Sequence, residues 1–88
     1  MELFDIGTVC EIIYNICNKN GFQYWEVADC HFIVWSRAEH QTEVASVRVD
    51  ELGYVEVSNR SKSESFEFED LNYPYDPDLG MAIYELLD

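Results

Sequence analysis

Basic residues are what this chain has least of. Five lysines and arginines stand against eighteen aspartates and glutamates, a formal charge of -13 over 88 residues. Phosphate backbones and anionic lipid headgroups attract the opposite sign, so direct binding to nucleic acid or to a charged membrane is not expected. Long apolar runs are missing too, and no stretch approaches the roughly 20 residues that span a bilayer. Residues 1–5 do not open with the basic-then-apolar pattern of a secretory signal. The three cysteines, Cys10, Cys17 and Cys30, are odd in number and lack the dense spacing of a small secreted scaffold. Together these absences point to a reducing, cytoplasmic setting.

The chemistry-bearing motifs are absent as well. Four glycines are enough for the expected turns but leave none for a phosphate-binding loop. His31 and His40 are available as bases, yet the chain has no nucleophile elbow and no His-Glu-x-x-His helix, so no catalytic residues and no enzyme activity are expected. Cys10, Cys17, Cys30 and His31 lack the short-range pairing of zinc knuckles, and Asp76-Pro77-Asp78 lacks the alternating carboxylates, glycine and closing glutamate of a calcium loop. No metal and no cofactor are expected.

What is present is a core. Hydrophobic residues make up 48% and aromatics 15%, too apolar for a disordered acidic tail. The length suits one domain over residues 1–88, without repeat or linker. Across residues 5–20, Ile6, Val9, Cys10, Ile13, Ile16 and Cys17 recur at helical intervals, with Asp5 as N-cap and Asn20-Gly21 as the stop. Residues 22–28 and 31–37 read as two strands around a tight turn at Asp29-Cys30. In the second, Phe32 with Val34 and Ile33 with Trp35 are both apolar sets, which predicts a central strand partly covered on both faces.

Residues 42–50 and 54–58 alternate as a second hairpin around Asp50-Glu51-Leu52-Gly53. Residues 64–70 repeat carboxylate and aromatic and are read as an edge strand, whose charges discourage further pairing. Asp76-Pro77 then caps a helix from residue 77 to about 87 whose apolar stripe is Leu79, Ala82, Ile83 and Leu86. The expected fold is α+β: an N-terminal helix, a four- or five-stranded antiparallel sheet built of hairpins, and a C-terminal helix, both helices packed on one sheet face.

The feature most pointed at function is the unopposed acidity of the C-terminal third. Glu64, Glu67, Glu69, Asp70, Asp76, Asp78, Glu85 and Asp88 meet no lysine or arginine after Lys62, and Asp50, Glu51, Glu39 and Glu43 extend the field from loops. Such an array imitates a phosphate backbone and steers toward a basic surface. Tyr73 and Tyr75 beside Pro74 are candidate anchors, tyrosine covering much area at low entropic cost. The expected partner-binding set is therefore Glu64, Glu67, Glu69, Asp70, Tyr73, Tyr75, Asp76 and Asp78. The expected function is a small acidic inhibitor that occupies the basic face of a DNA- or RNA-handling protein. In size and charge alone, with no shared motif, it is similar to anti-CRISPR and anti-restriction proteins. Two rival readings are an immunity or antitoxin protein covering a basic toxin, and an oligomerising subunit joined through Ile33 and Trp35 as a homodimer.

Overall fold

A computed structural model describes residues 5–88; residues 1–4, on which the signal-peptide expectation rests, lie outside the described residues. Helix α1 spans Ile6–Asn20. Its free amides are met at the start by the Asp5 carboxylate, which accepts from the Thr8 amide at 2.7 Å. At the far end Gly21 turns left-handed (φ 71°) and its N–H reaches the Cys17 carbonyl, a conformation a side chain would resist.

Five strands follow: β1 (Gln23–Ala28), β2 (His31–Trp35), β3 (Ala45–Asp50), β4 (Tyr54–Ser58) and β5 (Ser63–Glu67). Each is antiparallel to the next, so the sheet runs β1-β2-β3-β4-β5 in chain order. A short 3-10 turn, Phe68–Asp70, leads to an extended segment and then to helix α2, Pro77–Leu86. The expected α+β arrangement is what forms.

Strand alternation explains where the core sits. Phe32 and Val34 of β2, Ala45, Val47 and Val49 of β3, and Val55 and Val57 of β4 point to one face and are buried with Val9, Ile12, Ile13 and Ile16 of α1 and Leu79, Ile83 and Leu86 of α2. Ile12 lies outside the predicted stripe yet is fully buried. At the β1 side Tyr14 closes the layer, stacking on Tyr24 and meeting Phe32 edge-on.

Two boundaries and one prediction of cover differ from expectation. β3 begins at Ala45 and not at residue 42, because the backbone before it pairs elsewhere: the Glu43 amide donates to the Leu87 carbonyl and the Gln41 side chain to that of Tyr84. β5 ends at Glu67 because the chain turns into the 3-10 segment Phe68–Asp70, with the Phe68 side chain buried in the core and the Leu71 amide closing on the Phe68 carbonyl. β2 is internal as predicted, flanked by β1 and β3, but its outer residues Ile33 and Trp35 are only half-buried and no described element covers them.

Candidate interaction surface

The meander sorts charge by end. The start of α1, the β1-β2 turn, the β3-β4 turn and the end of β5 all fall at one end of the molecule, tied together by the Val49 amide on the Cys30 carbonyl and the Phe68 amide on the Gly53 carbonyl. Among the described residues that end carries Asp5, Asp29, Asp50, Glu51, Glu67, Glu69 and Asp70, and the one cation near it is Arg48 of β3. Lys19, Arg37, Arg60 and Lys62 fall at the opposite end, where Arg60 meets Glu43 at 3.3 Å in the single ion pair among the described residues. Arg48 sits on the outer sheet face, across from His31 and Glu56.

At the acidic end the carboxylates crowd one another. Glu67 shares a hydrogen bond with Glu69 and feels its charge and that of Asp70, which holds its carboxyl above the usual glutamate range. Leu52 stands at the tip of the β3-β4 turn, 81% exposed. Beside it, Gly53 and Phe68 line two shallow hollows, one bordered by Glu67 and Glu69, the other by Asp5 and Glu51. An apolar tip within a ring of carboxylates therefore forms where three turns meet. The hairpin turn Asp50-Glu51 belongs to this end as fully as the C-terminal third does, and the pairing of β4 with β5 is what joins them.

The other predicted carboxylates go elsewhere. Glu64 on β5 and Asp78 and Glu85 on α2 border a groove floored by Phe66, Met81 and Ala82. Asp76 does not reach any binding surface: it is 2% exposed, its Oδ2 accepts from the Leu79 amide at 2.8 Å, and its Oδ1 accepts from the Asn72 backbone and side chain at 3.1 and 3.0 Å. It caps α2 and fastens the approaching segment, so it leaves the partner-binding set.

The tyrosines divide likewise. Tyr75 packs on the core, its hydroxyl near the Asn20 amide and its ring under the Lys19 ammonium at 4.3 Å, so it too serves the fold. Tyr73 is half-exposed and donates to Glu11 at 2.8 Å, and that bond holds its phenol above the ordinary range. It borders α1, apart from the acidic end.

No disulfide joins Cys10, Cys17 and Cys30. Burial pushes Cys17 up to about 12 and Cys10 up to about 11, the latter with help from neighbouring Cys30. Among the described residues no three of His, Cys, Asp or Glu gather as metal ligands would, and no helix is long and apolar enough to cross a membrane.

The outer sheet face is the surface that residue types alone did not fully announce. Register places Trp25 opposite Ile33 and Gln23 opposite Trp35, and Trp25 is 68% exposed. Ile33 and Trp35 were legible from the doubly apolar pattern of β2, whereas Trp25 joins them only once the β1-β2 pairing is known. No protein-family model, no curated protein and no solved structure matches this chain.

Proposed function

We propose that this protein is a binding protein, not an enzyme, and that it offers its acidic end to the basic face of another protein, most concretely one that handles DNA or RNA. The observation that carries the reading is segregation: among the described residues seven named carboxylates share one end around an exposed Leu52, and the one cation near them, Arg48, lies on the outer sheet face. A merely solubilising charge has no reason to gather seven carboxylates at one end or to surround an apolar tip. Complementary fields accelerate encounter, and an apolar centre within a polar rim is the arrangement that holds a complex once formed. Three free cysteines support a reducing compartment such as the cytoplasm.

The test is capture of proteins by immobilised wild-type chain, followed by competition. The expected partner is released by salt near 0.5 M, where screening shortens charge interactions to a few ångströms, and is displaced by heparin or duplex DNA. Lysine at Glu51 and Glu69 with alanine at Leu52 abolishes capture. A partner retained by that triple variant overturns the reading, and a partner displaced by neither polyanion points to an immunity-type interaction with a toxin.

The exposed Trp25 beside Ile33 and Trp35 favours one second reading, a homodimer through the outer sheet face. Sedimentation near 1 M salt, where the Debye length is about 3 Å, separates it, because an apolar dimer persists there and an acidic-end complex does not.

A further inference from the structure

The edge of the sheet at β5 is open, and its hydrogen-bonding direction can be read from the register. The Asn59 amide bonds the Lys62 carbonyl and the Phe68 amide bonds the Gly53 carbonyl, both at 2.9 Å. In an antiparallel pair hydrogen-bonded positions alternate. Glu64 and Phe66 therefore turn their backbone groups toward β4, while Ser63, Ser65 and Glu67 turn theirs outward. Among the described residues no hydrogen bond occupies those outward groups, and all three residues are exposed.

The side chains beside this edge have a definite order. Glu64 and Phe66 lie on the helix side of β5, and Asp78, Met81, Ala82 and Glu85 lie on the face of α2 that looks across to them. The C-terminal end of α2 is near the β4-β5 turn, since the Asn59 side chain donates to the Leu86 carbonyl at 2.8 Å. Glu85 is thus toward the Glu64 end, Met81 and Ala82 are beside Phe66, and Asp78 is at the far end. The groove reads acidic, apolar, acidic along its length. Met81 is 59% exposed, a large flexible side chain with unused contact area. Among the described residues that line the groove none is lysine or arginine.

We propose that this edge receives an extended basic segment of the partner protein as a sixth strand. The proposal rests on the reading that the partner is basic, and it names how such a partner is gripped. A strand presents every second side chain to one face. The matching sequence is therefore basic, any, apolar, any, basic: the apolar residue seats on Phe66 and Met81, and the basic residues two positions to either side reach Glu64 with Glu85, and Asp78. Main-chain bonds to Ser63, Ser65 and Glu67 supply affinity, and the alternate side chains supply selection. The same carboxylates repel a second copy of this chain, so the edge is closed to self-association while open to a segment of opposite charge. The opposite edge, β1, is interrupted by a bulge between Glu26 and Ala28.

The test is a titration of the 15N-labelled protein with a capped peptide of core Lys-Thr-Val-Thr-Lys. Saturable shifts at Ser63, Ser65 and Glu67, with amide exchange at these positions slowed about tenfold or more, are the expected result. The isomer Thr-Lys-Val-Lys-Thr has the same charge but puts its lysines on the other face, and binds about tenfold more weakly, as does the first peptide methylated at its alternate backbone nitrogens. Ser65→Pro removes only an outward donor, a substitution edge strands accept, and weakens binding by a similar factor while circular dichroism stays unchanged. Equal binding of the two isomers, or none of either, overturns the proposal. Should Ser65→Pro unfold the chain, the methylated peptide reads the same contact. Lysine at Glu51 and Glu69 leaves peptide binding within about twofold; if instead it alone abolishes binding, the groove is wrong while the acidic end stands.

Discussion

Asp76 and Glu67 are both acidic residues of the C-terminal third, and they do opposite things for the protein. Asp76 satisfies the first turn of α2 and the preceding Asn72 from a buried position. Its replacement by alanine removes a cap and leaves donors unpaired, an expected loss of about 2 kcal/mol by denaturant unfolding, with Asp76→Asn losing less. Glu67 is held above the ordinary range by Glu69 and Asp70. The folded chain thus binds more protons than the unfolded one from the ordinary glutamate value, 4.5, up through the raised one. Stability contributed by this group is present below that window and lost as pH rises through it. Unfolding followed from pH 4 to 7 should show that decline, and Glu69→Gln should flatten it. Sequence spacing announced Asp76 as a cap through the Asp-Pro pair, but it could not tell which carboxylates stay in water, because a capping aspartate and a surface aspartate are the same letter.

Among the elements, α2 and the segment before it show how a local weakness is offset by packing. Gly80 lies inside the helix, where glycine is about 1 kcal/mol worse than alanine. It is fully in contact with its surroundings, and a Cβ there would meet the Tyr75 hydroxyl at 2.8 Å. Tyr75 also carries the contacts with Asn20 and Lys19, so glycine makes room for the clamp between the two helices. Gly80→Ala alone is expected to change stability by less than about 1 kcal/mol, the helical gain opposing the displaced ring; in a Tyr75→Ala background the same substitution should stabilise by about that amount. Thermal unfolding of the four species measures the coupling. The elements themselves were largely readable: the 3.6-residue stripe of α1, the alternation of β3 and β4, and the Asp-Pro start of α2 all carry their own signals. The overrun of β3 and β5 was not, since residues 42–44 and Phe68 look strand-like; the first are redirected by Leu87, distant in sequence, and the second by a 3-10 turn that buries its side chain.

At the scale of the whole molecule, charge and topology act together. A net charge of -13 with a single described ion pair means that like charges approach without local relief, most of all at the acidic end. Raising salt from about 10 mM to about 0.5 M contracts the reach of that repulsion from about 30 Å to a few ångströms. The expected outcome is a melting temperature that climbs with salt, and a Glu69→Lys variant that melts higher than the native chain at low salt and gains less from added salt. The acidic end was only partly visible as a place in the sequence: Glu67, Glu69 and Asp70 fall in the unopposed C-terminal third, whereas Asp5 and Asp29 lie far from it and share its end only because consecutive strands double back.

That same doubling back bears on how the chain reaches its structure. Every strand pairs with the one just before it, so each pairing step closes a loop of two to nine residues, and only the docking of the two terminal helices spans much of the chain. Loop closure of that kind is entropically light, and chains dominated by such contacts fold quickly for their β content. The sheet can zip hairpin by hairpin, even as the chain emerges during synthesis, leaving the last helix to seal the apolar face.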